Sequence, residues 1–242
     1  MEYPNTEQEL KKKVDELNNE WHSACPENFV RYGFYPHYTQ QKYRLLFVGR
    51  EARGVAECDY IEVLYKCNYI LGKMPRGNFH HRMFYLAYGL LNDFPNYYDI
   101  PYSCKIASTD FKNGSLSFAF MNISTISNEV GVATQGDKYA QSRDAGAKFR
   151  REMINLLEPD IIVCANCGYD ISRLSDKCKL LEREESDLIT TELLQFGKKT
   201  CLRFDTYHWG ATRVREIGGL YTKEHFYDPL CDTFRKFRHL IS

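Results

Sequence analysis

The sequence predicts an α/β protein in three layers, with a central, mostly parallel sheet covered by helices on both faces. Short apolar runs of strand length recur along the chain, and stretches with apolar residues every three or four positions alternate with them. The runs are apolar at nearly every position, as strands buried between two helix layers must be. With 242 residues, 43% of them hydrophobic, the chain can bury one substantial core, and it is expected to form a single domain over 1–242.

Each element has its own signal. Thr6 followed by Glu9 has capping-box spacing, and Leu10, Val14, Leu17 and Trp21 follow at helical intervals, so residues 6–23 read as an amphipathic helix. Residues 26–41, rich in Pro, Tyr and Gln, read as a loop leading to a strand at 43–48. Ile61, Leu64, Tyr65 and Ile70 suggest a helix at 57–72, and Met83, Leu86, Ala87, Leu90 and Leu91 another at 80–94, with breakers Gly72, Pro75 and Gly77 between them. Residues 95–115 look irregular. A strand at 116–121 precedes a polar loop at 122–140, and Ala147, Met153, Ile154 and Leu157 mark a helix at 142–157 that Glu158-Pro159 ends. A strand at 160–165, a short helix after Gly168, a weak strand at 178–182 and a strand at 200–206 follow. The last helix, 223–241, carries the stripe Phe226, Leu230, Phe234, Phe237 and Ile241.

Composition excludes several classes. The 32 basic and 32 acidic residues cancel, so no global basic field marks a dedicated nucleic-acid binder. Local clusters such as Lys148-Phe149-Arg150-Arg151, Arg213 with Arg215, and Arg235-Lys236-Phe237-Arg238 are left as solvated faces or parts of a basic patch. No apolar run reaches the length of a membrane span and the first residues are polar, so a soluble, cytoplasmic protein with no membrane partner is expected. Nine scattered cysteines fit reduced thiols. The one close pair, Cys164 and Cys167, lacks a second pair to complete a metal site and is expected to be buried at a strand end. His80 and His81 are adjacent on a helix start, point in different directions, and are expected in a solvated first turn.

The most informative stretch is Leu45-Leu46-Phe47-Val48-Gly49-Arg50-Glu51-Ala52-Arg53-Gly54. An apolar run that stops at a glycine-bracketed polar loop puts the Glu51 carboxylate at a strand end, where open α/β sheets bind ligands. Phe118-Ala119-Phe120-Met121-Asn122 and Cys201-Leu202-Arg203-Phe204-Asp205-Thr206-Tyr207-His208 end in the same manner, which suggests one pocket holding Glu51, Asn122 and His208. Plain structural roles compete: Glu51 pairing with Arg50 or Arg53, Asn122 closing an Asx turn, and His208 packed beside Tyr207 and Trp209.

In this order the motifs resemble the uracil-DNA glycosylase superfamily, over roughly residues 43–215. Gly49 to Gly54 is similar to the family's first loop, Phe120-Met121-Asn122 to its Leu-Leu-Asn strand end, and Arg150 to Leu157 with Glu158-Pro159-Asp160-Ile161-Ile162-Val163 to its long helix and proline-led strand. Tyr207-His208-Trp209-Gly210 stands where the family has His-Pro-Ser. The resemblance implies hydrolysis of the N-glycosidic bond of a deaminated or damaged base in DNA. Glu51 then orients water, Asn122 reads the base edge and His208 stabilises the departing carbonyl. Gly49, Arg50 and Tyr65 line the base site, and the stacking aromatic is Tyr60, Tyr65 or Tyr102. Arg53, Arg213 and Arg215 contact nucleic acid, although Gly210-Ala211-Thr212 supplies no large wedge. The cysteine spacings of the family's iron-sulfur branches are missing, so no cofactor or metal is expected. DNA or a nucleotide is the implied ligand. Two alternatives stay open: a non-catalytic nucleic-acid or nucleotide binding module on the same fold, and a hydrolase of small nucleosides.

Overall fold

The computed structural model describes residues 1–25, 28–55, 57–129, 132, 134–167, 178–215 and 217–241. Two short strands, β1 (Val30–Arg31) and β2 (Gly33–Phe34), precede β3 (Leu45–Gly49). β4 (Cys58–Asp59), β5 (Ala119–Asn122), β6 (Ile161–Ala165), β7 (Cys178–Glu185), β8 (Ile189–Phe196) and β9 (Lys199–Thr206) follow. Between them run α1 (Gln8–Ala24), α2 (Tyr60–Cys67), α3 (Asn78–Leu91), α4 (Ser103–Ile106), α5 (Gly136–Ala145) and α6 (Ala147–Leu157), and α7 (Lys223–Phe226) and α8 (Asp228–Phe237) come last.

Among the described residues seven strands form the main sheet, in the order β2-β5-β3-β6-β9-β8-β7. β5, β3, β6 and β9 are parallel, and every residue of β3, β5 and β6 is buried, which explains why these strands are apolar without alternation. β2 is an antiparallel edge beside β5, and β7, β8 and β9 form an antiparallel meander at the other side. The class is the expected three-layer α/β/α. α1 packs on α6, where Trp21 stacks on Phe149 with ring centroids 5.6 Å apart. α8 packs against α3 and β8, and Phe84 of α3 meets Phe118 edge-on at 5.3 Å.

Where the structure differs from the sequence expectation, tertiary partners are the reason. Thr6 and Glu9 form no capping box: a 3-10 turn, Asn5–Glu7, leads into α1 without a side-chain cap. The buried Glu7 carboxylate instead accepts from the N–H groups of His37 (2.8 Å) and Thr39 (2.7 Å) and from Thr39 Oγ1 (2.9 Å), tying α1 to the chain before β3. Residues 26–41 include the edge strand β2, and 95–115 include α4 and a π-helical turn, Ala107–Phe111, which the packing of Phe111 against Tyr35, Tyr69 and Phe84 stabilises. The helix expected at 142–157 is two helices meeting at Gly146, where a Cβ would lie 2.8 Å from both Arg150 Nη1 and Trp21 Cζ2. It ends as foreseen, with Glu158 in the left-handed region before Pro159. The last helix is broken into α7, α8 and a 3-10 turn, Arg238–Leu240. The short helix expected after Gly168 lies outside the described residues.

The meander corrects the weak strand at 178–182, which runs to Glu185, and adds β8. Its polar interior positions hid it: Glu192 of β8 sits opposite Arg183 of β7 and Arg203 of β9 and pairs with both, while Arg203 and Glu192 side chains are only 4% and 8% exposed. Removing one partner of such a buried pair leaves an uncompensated charge. Glu192→Ala is therefore expected to lose about 3–5 kcal/mol in urea unfolding, and Glu192→Leu combined with Arg203→Met to recover most of it.

Candidate functional site

The four parallel strands end along one edge of the sheet. Gly49 of β3 lies beside Asn122 of β5, Val48 beside Cys164 of β6, and Ala165 beside Thr206 of β9. The chain leaves β3 toward β5 on one side of the sheet, whereas beyond the neighbouring β6 it goes on to β7, β8 and β9 on the other. This makes the end of β3 a topological switch point, where open α/β sheets form crevices.

Beyond the strands, the loops after β3 and β5 continue to pair. Ile123 N–H donates to the Gly49 carbonyl (2.9 Å), Ser124 N–H to Arg50 (2.9 Å), Asn128 N–H to Ala52 (2.9 Å), and Gly54 N–H back to Asn128 (2.8 Å). The zipper fixes Glu51. Its Oε1 accepts from Arg53 Nη2 (2.9 Å), Thr134 Oγ1 (2.7 Å) and Asn128 Nδ2 (3.4 Å), which leaves Oε2 without a hydrogen bond among the described residues. The pairing with Arg53, foreseen as the structural alternative, is thus present. Glu51 also lines a cavity of about 580 Å³ with Ser124, Asn128, Lys138 and Tyr139.

Asn122 closes no Asx turn among the described residues. Its Nδ2 donates to the buried Tyr32 hydroxyl (2.8 Å), while its Oδ1 lies where a Cβ on Gly49 would stand. Only glycine fits at 49 with the amide in this place. One N–H and the carbonyl of the buried Asn122 side chain make no hydrogen bond among the described residues, a donor and acceptor side by side.

His208 follows β9 and is half-buried. Its Nδ1 accepts from the Gly210 N–H (3.1 Å), which selects the tautomer with hydrogen on Nε2. Burial first, then the positive charges of Arg50 and Arg53, hold the imidazole below its ordinary 6.5, with Glu51 opposing and Arg82 adding to the effect. The ring is neutral at pH 7 and a donor at Nε2. Beside it, Trp209 is buried, donates to Thr206 Oγ1 (2.8 Å) and meets Phe47 edge-on at 5.4 Å, anchoring the turn.

The aromatic at this site is Phe79. It lies 5.5 Å from the His208 ring and 5.0 Å from Trp209, centroid to centroid, and its Cζ would be 3.2 Å from a Cβ at Gly49. Tyr65, singled out from sequence, is elsewhere: it packs on Tyr35 (6.2 Å) and Phe111 (5.7 Å) because that side of α2 faces the aromatic cluster over α4. Tyr60 backs Tyr32 and Phe120, and Tyr102 is 83% exposed. The only sequence signal for Phe79 is its place at a helix start just after Gly77, whose φ of 92° opens the turn.

Arg82, one turn along α3, holds the His208 loop. Its buried guanidinium donates to the carbonyls of Trp209 (2.7 Å), Ala211 (2.5 Å) and Tyr221 (2.6 Å) and lies over the Tyr221 ring. The last two acceptors bracket a hairpin of β10 (Arg213–Val214) and β11 (Gly219–Leu220). Val214 is buried, while Arg213, Arg215 and Leu220 are exposed and neither arginine has an ion-pair partner among the described residues. Arg150 is buried, with Nη1 on the Ile123 carbonyl (2.8 Å), so the 148–151 cluster is not a basic face. In the last cluster Lys236 pairs with Glu184 and Arg238 with Asp93.

His80 is not solvated, contrary to expectation. α3 turns it inward onto the Tyr69 hydroxyl (2.7 Å), and burial pushes it down to about 3. His81 reaches Ser103 Oγ at 2.5 Å. Cys164 and Cys167 are both buried, and burial pushes the Cys164 thiol well up. Among the described residues no three His, Cys, Asp or Glu side chains cluster as metal ligands, and no helix is long and apolar enough to cross a membrane. No known protein-family model matches the chain, and no curated protein matches it significantly.

Two measurements follow from α3. Arg82→Met strands three carbonyls and is expected to lose about 2–4 kcal/mol in urea unfolding, with the His208 ring resonances displaced. His80 binds a proton when unfolded, near pH 6.5, but not when folded until about pH 3, so it removes stability as pH falls through that window. Wild type is expected to lose about 1.4 kcal/mol per pH unit more than His80→Gln between about pH 6 and 4, by urea unfolding at each pH.

Proposed function

We propose that the chain recognises a uracil-like base in DNA or a nucleotide and hydrolyses its N-glycosidic bond, as the resemblance to uracil-DNA glycosylases implies. The observation that carries the reading is the convergence of Phe79, Asn122, Gly49 and His208 at the switch point, with Glu51 in the adjoining loop. A flat base lies on the Phe79 ring, and the absent side chain at Gly49 makes room for the Asn122 amide that meets its edge. The remaining N–H and the carbonyl of Asn122 match an acceptor next to an N–H donor on the base edge.

Glycosidic cleavage makes an oxocarbenium-like sugar and a base that departs with negative charge, so the site must donate to a base carbonyl and offer a negative group to the sugar and water. Neutral His208 donates from Nε2, where charge grows in the transition state. Glu51 is pinned at Oε1 and presents Oε2 to the attacking water. In this reading the exposed Arg213 and Arg215 at the hairpin contact phosphates flanking the base. Tyr65 has no part in this reading.

The binding-module reading has one observation in its favour: the Arg53, Thr134 and Asn128 contacts already occupy one oxygen of Glu51. Base release from single- and double-stranded oligonucleotides carrying uracil, hypoxanthine, xanthine or mismatched thymine separates the two. Cleavage is expected to fall about 10²-fold or more in both Glu51→Gln and Asn122→Ala. Salt-dependent binding of single-stranded DNA without release would mark a binding module, and turnover of free nucleosides alone a small-molecule hydrolase.

A further inference from the structure

Arg50 differs from the other arginines around the site. Arg82 and Arg150 spend their guanidinium groups on backbone carbonyls, Arg53 pairs with Glu51, and Arg203 pairs with Glu192. Arg50 has no carboxylate within ion-pair distance among the described residues, and its Nε is buried without a hydrogen-bond partner. Its guanidinium lies 5.0 Å from the centroid of Tyr139, which holds the cation in place without neutralising it. A partly buried positive charge with an unmade hydrogen bond is costly, and an incoming anion removes that cost.

The surroundings suit a phosphate. Tyr139 also lines the 580 Å³ cavity, together with Ser124, Asn128 and the exposed Lys138, which has no ion-pair partner among the described residues. Glu51 and Glu129 are the acidic residues of that lining, and Glu51 is already paired with Arg53. A planar guanidinium presents parallel N–H donors that match two oxygens of a phosphate, and the exposed Lys138 ammonium on the same cavity adds a second positive charge.

We propose that Arg50 seats a phosphate of the ligand, either the monoester of a free nucleotide or a phosphodiester of DNA. This rests on the reading of Phe79, Asn122 and His208 as the base site, to which Arg50 adds a charged subsite at the same strand end. The geometry also couples the two. Arg50, with Arg53 and Arg82, places positive charge on His208 while Glu51 places negative charge on it, so an anion on Arg50 makes the imidazole easier to protonate.

The test uses inorganic phosphate, deoxyuridine, dUMP and a uracil-containing oligonucleotide with wild type, Arg50→Gln and Arg50→Lys. His208 is followed by NMR against pH, its signal identified among the seven histidines with His208→Asn. At constant ionic strength, phosphate in place of chloride is expected to move the wild-type His208 titration upward. In Arg50→Gln the titration is already higher and phosphate moves it no further, with Arg50→Lys between the two. By calorimetry, dUMP is expected to bind wild type about 10-fold or more tightly than deoxyuridine, and about equally in Arg50→Gln. Tighter binding of the oligonucleotide than of dUMP assigns the seat to a phosphodiester, and the reverse to a free nucleotide. Equal binding of dUMP and deoxyuridine to wild type, with His208 indifferent to phosphate, overturns the phosphate seat and leaves the base site standing. An Arg50-dependent response to phosphate with no binding of any uracil ligand supports the seat and overturns the base site.

Discussion

The close approach of Gly49 to Asn122 is the constraint on which the site depends. The parallel pairing of β3 with β5 brings these residues side by side, and the Asn122 amide turns back over the glycine to fill the space a side chain would take. From that contact the two loops zip together through four backbone hydrogen bonds, and the zipper sets where Glu51 lies. A side chain at 49 would displace the amide, the Phe79 edge, or both. The same residue pair therefore sets the geometry of the Asn122 amide, the Phe79 ring and, through the loop, the Glu51 carboxylate.

α3 is the second organiser. Phe79, His80 and Arg82 occupy nearly one turn and serve three directions: the His208 and Trp209 rings, the buried Tyr69 hydroxyl, and the carbonyls of the His208 turn. The helix locks onto the core through a neutral histidine and onto the loop after β9 through an arginine without a carboxylate. The loop holding His208 thus depends on a helix far from it in sequence. Electrostatics follow from the same arrangement, since burial and surrounding arginines favour the uncharged imidazole, whose Nδ1 accepts from the Gly210 N–H and whose Nε2 keeps its hydrogen.

Much of this was legible in the residues. β3, β5 and β6 are signalled by nearly unbroken apolar runs because both faces of each are covered, β9 by a mixed run, and the polar groups at their exits mark the edge of the sheet where the candidate site lies. Glu51, Asn122 and His208 were reached that way. β8 was not, because Thr190, Thr191, Glu192 and Gln195 interrupt its pattern, and the charge at 192 is explained only by Arg183 and Arg203 on strands beside it. Phe79 was missed for a different reason. One phenylalanine among fifteen has no local signature of a place at this strand end, and nothing in its neighbours tells that Gly49 and His208 will come to it. Tyr65 shows the converse, an aromatic with suitable chemistry that tertiary packing commits to another cluster.

The sheet order carries a consequence for how the protein comes to be made. β3 is synthesised early, but its partners arrive with residues 119–122 and 161–165, and the histidine strand only with 199–206. Until residues 119–122 are made, a growing chain therefore holds Glu51 and its loop with no neighbour on either side of β3, and the apolar strand has no parallel partner in the sheet. Because its parts come from strands so far apart in the chain, the crevice is a late product of folding, and a polypeptide stalled before β9 would carry the carboxylate and the amide but not the imidazole that completes them.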